Sequence, residues 1–302
     1  MAVADSHAAT SALRLWLLAA RPRTLPAAVA PVLVGTALAI VDDEFRALAF
    51  VAALVGSIFI QIGTNLSNDY SDARRGADTE DRLGPVRVTA GGLMPPRRVL
   101  IGTYVAFGIA VLAGIYLTAI TGPELLLVGV ASIAAGVLYT GGPRPYGYEG
   151  LGEVFVFLFF GVVAVVGSYY VQAEELPWEA FALSVPVGLL ASAILVVNNV
   201  RDADTDQRVG KRTLAVRLGR PRARVLFGAM LALSYAVVVA IPVAGGLSWW
   251  VALPLLTVPL ALPLWRTVSQ RTDGPSLNGA LADTGRLLGV FSLLLAAGIL
   301  LS

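Results

Sequence analysis

The chain of 302 residues is expected to fold as an all-α polytopic membrane protein, and three observations carry that expectation. First, 57% of the residues are hydrophobic, 14% are charged, and the mean hydropathy is +0.76, a balance far from that of water-soluble domains. Second, apolar stretches of membrane length alternate with polar connections along almost the whole chain. Third, the basic residues gather on alternate connections, as the positive-inside rule requires of a multi-pass protein.

Taken in order, Met1 to Thr10 is a polar tail. Ser11 to Ala20 is apolar, too short to span, and flanked by Arg14, Arg21 and Arg23. It lacks the small-residue cleavage pattern of a secretory signal, so residues 1–23 read as a tail and an interfacial helix, with Pro22 at the bend. Residues 24–302 then form one transmembrane domain. Its spans are expected at 24–41, 47–68, 99–120, 124–140, 154–172, 179–199, 225–243, 247–265 and 285–301, nine in all. With the N-terminus inside, the tail and the connections after spans two, four, six and eight hold 20 of the 22 Lys and Arg residues; Arg286 stands at the adjoining inner end of span nine, and Arg46 alone falls on the opposite side. That split places the N-terminus in the cytoplasm and the C-terminus on the outer side of the membrane. Trp178, Trp249 and Trp250 fall near the outer boundary, where interfacial aromatics belong.

Composition also excludes chemistry. There is no cysteine and a single histidine, His7 in the tail, so disulfides, zinc sites, thiol nucleophiles and histidine acid–base catalysis drop out. A metal would have to be held by oxygen, which favours magnesium, manganese or calcium. A net charge of +2 gives no reason to expect nucleic acid as a partner. No phosphate-binding glycine loop, nucleotide fingerprint or heptad repeat is present. The glycosylation sequon at Asn65-Leu66-Ser67 falls inside a span on the cytoplasmic side and is discarded.

Two acidic stretches close long apolar runs. In the first, Asn65, Asn68, Asp69 and Asp72 are spaced i, i+3, i+4 and i+7, so on a helix they share one face. In the second, Asn198, Asp202 and Asp206 at i, i+4 and i+8 do the same. Carboxylates crowded on one face repel unless something cationic sits among them. About 130 residues separate the stretches, close to half the chain, which suggests pseudo-duplicated four-helix halves whose motifs face each other across one cavity. One such motif alone would read as a solvated helix end. Two in matching register read as an oxygen-ligand set for a hard divalent ion, which in such sites usually also binds substrate phosphate.

Cations stand nearby: Arg74, Arg75, Arg201, Lys211 and Arg212. Topology alone accounts for many basic residues on this side, and covers Arg97, Arg98, Arg220, Arg222 and Arg224, which lack acidic neighbours. Lys211 and Arg212 differ, following the second motif directly behind Gly210. Metal-binding acids with cations beside them form a receptor for a diphosphate. Tyr139, Tyr146 and Tyr148 surround a Gly/Pro-rich turn; such tyrosines serve either as interface anchors or as a face that steadies a carbocation.

These residues resemble the UbiA superfamily of intramembrane aromatic prenyltransferases, whose mark is the pair of acidic motifs, here Asn68-Asp69-Tyr70-Ser71-Asp72 and Asp202 to Asp206. Within it the chain is most similar to the actinobacterial form of the MenA branch, the 1,4-dihydroxy-2-naphthoate polyprenyltransferases of menaquinone synthesis. The stretches that carry this are Arg21 to Pro26, Asn68 to Asp78, Tyr139 to Pro143, Gly150 to Glu153 and Asn198 to Gly219. One departure is visible: many members carry a third acid four residues after the second, where this chain has Gly76, with Asp78 the nearest acid.

The resemblance implies a nine-helix bundle around a central cavity, a cytoplasmic cap made by the motif loops, and a lateral opening to lipid. It implies Mg2+, as two ions and replaceable by Mn2+, held by Asn65, Asn68, Asp69, Asp72, Asn198, Asp202 and Asp206. Arg21, Arg74, Arg201, Lys211 and Arg212 would bind the diphosphate of a polyprenyl donor, and Tyr139 and Tyr146 would shield the allyl cation. Attack by 1,4-dihydroxy-2-naphthoate, with loss of CO2 and a proton, would give demethylmenaquinol. Other members transfer to 4-hydroxybenzoate, homogentisate, chlorophyllide or a lipid. A cation transporter is the reading from a different class, and it would place its acids near mid-membrane rather than at span ends beside basic loops.

Overall fold

The computed structural model describes residues 11–78 and 82–302. The tail with His7 and residues 79–81, at the start of the loop expected from Glu80 to Pro96, lie outside the described residues. Every regular element among the described residues is helical.

Helix α1 (Ala12–Ala20) is opened by the Ser11 hydroxyl accepting from the Arg14 amide, and it ends at Arg21 in the left-handed region (φ 55°). After one short turn, α2 (Pro26–Val41) begins with a proline at its first position and departs from α1 at 53°. Then follow α3 (Ala47–Arg74), α4 (Pro96–Ile120), α5 (Glu124–Leu138), α6 (Gly152–Ala173), α7 (Trp178–Arg208), the short α8 (Leu214–Leu218), α9 (Arg220–Val243), α10 (Trp249–Gln270) and α11 (Gly274–Leu300).

Seven of these, α3, α4, α6, α7, α9, α10 and α11, are long and apolar enough to cross a membrane, and the bent α1–α2 pair makes an eighth. The stretch expected as a span at 124–140 is the exception. Its helix has 15 residues. That gives about 22 Å of rise against a hydrocarbon core of about 30 Å.

α7 is the most deeply buried of the long helices and packs against α2, α6, α9 and α11, while α3 packs chiefly on α4 and α5. Small residues permit this closeness. Gly161 of α6 and Gly188 of α7 meet so tightly that a Cβ on Gly161 would stand 2.6 Å from the Gly188 Cα. At this crossing α6 loosens into a π-helical stretch, Phe157–Val163, which moves its aromatic side chains out of ordinary helical register. The consequence for the site lies at the helix ends. Both α3 and α7 run on past their apolar parts as unbroken helices, so each acidic motif is displayed on a regular helical face.

Candidate functional site

A cavity of about 460 Å³ lies between the α3–α4–α5 side and the α6–α7 side. From α3 it is lined by Asn65, Asn68 and Asp72, and from α7 by Asn198, Asn199, Asp202 and Asp206. The two motifs therefore face one space, as their spacing requires. Asp72 lies in the last turn of α3 and Asp206 in the last turn of α7, where the negative end of the helix dipole opposes a carboxylate. Cations offset that cost. Arg21, Arg82, Arg87 and Lys211 line the same cavity.

Asp72 is held from two directions. Its Oδ1 accepts from the Tyr148 hydroxyl at 2.7 Å and its Oδ2 from Lys211 Nζ at 3.2 Å. That ammonium also stands 4.7 Å from the centre of the Tyr148 ring. Burial and the adjacent Asp72 carboxylate push the Tyr148 hydroxyl well above its ordinary pKa, so it donates its proton rather than losing it. Lys211, Arg212 and Thr213 form an extended connection, in which successive side chains alternate. Lys211 and Thr213 accordingly face the cavity and Arg212 faces out.

Asp69 differs from expectation. It is buried behind the cavity wall, and its two oxygens accept from the backbone amides of Val88 and Thr89 at 3.1 and 2.9 Å. It pins the loop that carries Arg82 and Arg87. In that loop Asp78 pairs with Arg82 and, at 3.7 Å, with Arg87. Burial raises the Asp78 carboxyl above its ordinary range, with Arg82 pulling the other way.

Asn65 donates through Nδ2 to the Ala20 carbonyl at 2.9 Å and to Thr24, and Arg21 Nη2 donates to the Asn65 carbonyl at 3.3 Å. These bonds fasten the α1–α2 bend to α3. Asn68 Oδ1 accepts from the Thr140 hydroxyl at 3.0 Å.

The second motif is wired otherwise. Arg201 is 1% exposed, and its guanidinium grips both oxygens of Asp202 at 2.8 and 2.6 Å. The same group donates to Asn198 Oδ1 at 2.8 Å and to Asn278 Oδ1 of α11 at 2.7 Å. Arg201 is thus a buried clasp between α7 and α11 and does not line the cavity, and it occupies the oxygen through which Asn198 was expected to bind metal. Asp206 lines the cavity, and its carboxylate accepts no hydrogen bond among the described residues.

Two further expected residues lie away from the cavity. Arg74, two positions beyond Asp72 and so off its face, donates to the Tyr70 hydroxyl at 3.1 Å on the surface. Arg212 is exposed for the alternation already given. Arg75 instead clamps the turn after α5, donating to the carbonyls of Thr140 and Gly142. Sequence reading missed Arg82 and Arg87, because nothing in their spacing from the acids shows that Asp69 draws their loop back over the site.

Tyr139 and Tyr146 both line the cavity, with ring centres 5.5 Å apart at 71°. The Tyr146 hydroxyl donates to the Ala135 carbonyl at 2.8 Å, and its ring stacks on Phe155 at 4.0 Å. Phe159 continues the series 6.1 Å beyond Phe155. Away from the acids the wall is apolar, formed by Ile60, Ile115, Leu126, Phe159, Phe160 and Val163 among others. The cavity thus joins an acidic and basic end to an aromatic and aliphatic depth.

The model of the UbiA prenyltransferase family matches residues 28–279, most of the chain. The chain belongs to that family. Among curated relatives, the 1,4-dihydroxy-2-naphthoate octaprenyltransferase of Mycobacterium leprae is 42% identical over 287 residues, covering 95% of this chain and 96% of the relative. The enzyme of the same name from Escherichia coli is 37% identical, covering 97% of each chain. Among solved structures, the apo form of a UbiA homolog from Aeropyrum pernix aligns with TM-score 0.69 and 16% identity, over 92% of this chain and 97% of that one. A UbiA homolog from Archaeoglobus fulgidus bound to DMAPP and Mg2+ gives TM-score 0.68 and 17% identity, over 94% and 98%. The UbiA fold is therefore shared at sequence distances where only architecture persists.

Proposed function

We propose that this UbiA-family protein transfers a polyprenyl group from polyprenyl diphosphate to 1,4-dihydroxy-2-naphthoate, releasing diphosphate and CO2 and forming demethylmenaquinol. The observation that carries the reading is the two-ended cavity: carboxylates, amides and four cations at one end, aromatic and aliphatic walls beyond. That is the chemistry of a molecule with an anionic head and a long hydrocarbon tail. The naphthoate acceptor rests on the named relatives at 37–42% identity, whose names specify that acceptor.

The donor set fits Mg2+. Every candidate ligand is an oxygen, from Asn65, Asn68, Asp72, Asp202 and Asp206, and the Asp206 carboxylate accepts no hydrogen bond among the described residues. Among the described residues no three carboxylates form a ready-made metal cluster. This suits an ion that takes one or two carboxylates and completes its shell with substrate phosphate and water. We assign one such ion to each helix end, with Mn2+ able to substitute. When bound, Mg2+ stabilises negative charge developing on the diphosphate oxygens.

Arg21, Arg82, Arg87 and Lys211 take up the remaining diphosphate charge, replacing Arg74, Arg201 and Arg212 in that role. The allylic C–O bond breaks and its electron pair leaves with diphosphate. Tyr139, Tyr146 and Phe155 present ring faces to the allyl cation and exclude water from it. The ring carbon bearing the carboxylate forms the new C–C bond, and CO2 leaves, returning its bond pair to the aromatic system. With the carboxyl entering ionised, no separate proton loss is needed.

In the membrane we assign nine crossings: the seven long helices, the α1–α2 pair and the short α5. The loops bearing Arg82, Arg87 and Lys211 form the cytoplasmic cap, the N-terminus lies on that side and the C-terminus outside, following the basic residues. The hydrocarbon tail reaches the cavity from lipid along the α4–α5 side.

The test is a membrane assay with labelled polyprenyl diphosphate, with and without Mg2+, offering 1,4-dihydroxy-2-naphthoate and 4-hydroxybenzoate in parallel. Magnesium-dependent product from the naphthoate, with stoichiometric CO2, is expected. Product from the benzoate alone would move the protein to another branch of the family, and product from neither would overturn the acceptor assignment.

A further inference from the structure

One buried acid is used by none of these steps. Glu153, in the first turn of α6, is 5% exposed, and no Lys or Arg among the described residues pairs with it. Its Oε1 accepts from Asn199 Nδ2 at 2.8 Å, while its Oε2 is buried without a partner among the described residues. The main chain around it is fixed, since the Ser192 hydroxyl donates to the Glu153 carbonyl at 3.0 Å. Burying a carboxyl with half its acceptors unmet is costly, so a positional benefit is to be sought.

The benefit lies in the partner. Asn199 lines the cavity, one residue out of register with the Asn198–Asp202–Asp206 face. An amide has one donor end and one acceptor end, and a carboxylate accepts only from the donor end. With Nδ2 held by Glu153, the Oδ1 end is left to the cavity, where no group among the described residues donates to it. Tyr139 is adjacent: a Cβ on Gly152, the residue before Glu153, would stand 3.2 Å from the Tyr139 ring. Glu153 thus lies beside the aromatic part of the wall, and Asn199 and Tyr139 line the same cavity.

We propose that Glu153 is a positioning residue that locks the Asn199 amide with its oxygen toward the cavity, and that this oxygen accepts a hydrogen bond from a ring hydroxyl of the aromatic acceptor. This rests on the prenyl-transfer reading above and extends it to how the acceptor is chosen. A ring whose hydroxyl is methylated has nothing to donate and is refused.

Glu153→Gln tests it with little change of shape. The new amide could still accept from Asn199, but its NH2 would then stand buried where Oε2 finds no partner among the described residues. Donating to Asn199 Oδ1 leaves only a carbonyl there and is favoured, so the Asn199 amide turns over and the cavity receives a donor where it had an acceptor. The acceptor KM is expected to rise about tenfold, the worth of one hydrogen bond with its partner left unmet. The KM for polyprenyl diphosphate and the magnesium requirement stay unchanged. Adding Asn199→Asp to Glu153→Gln restores a donor–acceptor pair across α6 and α7 and leaves an oxygen facing the cavity. This double variant is expected to return the acceptor KM to within about threefold of the original.

An unmoved acceptor KM in Glu153→Gln would overturn the proposal. So would an equal rise for both substrates, a shifted magnesium requirement, or a double variant no better than the single one. If the unmodified protein transfers to no hydroxylated aromatic acid at all, the prenyl-transfer reading itself falls. If it does transfer and the swap fails, only the role of Glu153 falls.

Discussion

On α3, the acids are held from outside their own helix: Asp69 by two backbone amides of the following loop, Asp72 by Tyr148 from the turn after α5 and Lys211 from beyond α7. On α7, Asp202 is held by its own neighbour Arg201, and the Asp206 carboxylate has no hydrogen bond or ion pair among the described residues. The residue patterns are nearly alike, yet the first end organises loops and the second keeps a carboxylate free. A repeated motif thus says where acids lie and leaves open which of them hold the structure and which await a ligand. Substitutions that separate holding from waiting test the distinction.

The largest effect is expected at the waiting acid. Asp206→Asn keeps shape and removes the charge, and kcat/KM should fall on the order of 10³-fold, ~4 kcal/mol of transition-state stabilisation. Thermal unfolding in detergent should be nearly unchanged, since no hydrogen bond or ion pair among the described residues is lost. A fall of less than tenfold would show that Asp206 holds no metal.

Arg201 makes the opposite prediction. Arg201→Ala leaves the Asp202 carboxylate buried and unpaired and removes the tie to Asn278, and should destabilise the fold by about 3 kcal/mol or more. The readout is the unfolding midpoint. A protein of full stability with a raised KM for diphosphate would return Arg201 to the substrate-binding role first expected of it.

Asp69→Asn lies between these. The carboxylate accepts two charge-assisted bonds, so the change should cost about 2 kcal/mol, spent locally in releasing the loop. Trypsin should then cut faster at Arg82 and Arg87 than in the unmodified protein, with activity reduced because both cations lose their place. If Asp69→Asn lowers activity with no change in cleavage, Asp69 acts on the substrate side and the α3 end is wired like the α7 end.

Much of the architecture was legible beforehand, for reasons the helices make plain. Apolar length and one-sided basic residues located the long helices, because lipid forces the backbone to satisfy itself within each segment. Helical spacing placed Asn65, Asn68 and Asp72 on the cavity face, since α3 and α7 continue as regular helices through their motifs. Residues whose position depends on non-local contacts were not legible. Arg82 and Arg87 reach the cavity only through a loop drawn back by Asp69, and Tyr148 meets Asp72 across 76 positions of sequence. Arg74 and Arg212 are near the acids in sequence but not on the cavity wall, since one lies off the helical face and the other on the outward side of an extended stretch. Asn198 and Arg201 were each given a ligand that they instead find in one another.

The smallest effects are expected where cations are compared within the first end. Arg82 and Arg87 line the cavity, whereas Arg74 lies on the surface against Tyr70. Arg82→Ala and Arg87→Ala should each raise the KM for polyprenyl diphosphate about tenfold, ~1.4 kcal/mol, because each removes one charged donor from a site that retains three others. The acceptor KM should stay constant. Arg74→Ala should change neither value by more than about twofold, as expected for an exposed cation whose interactions are screened by solvent. Because all three arginines are on the basic side of the protein, a general electrostatic attraction of the anionic substrate would lower its affinity by similar amounts in all three variants. An ordered difference, with Arg74 silent, would assign the effect to contact within the cavity. Equal losses would mean that the first end draws diphosphate by its field and that the loop pinned by Asp69 serves as a cover only.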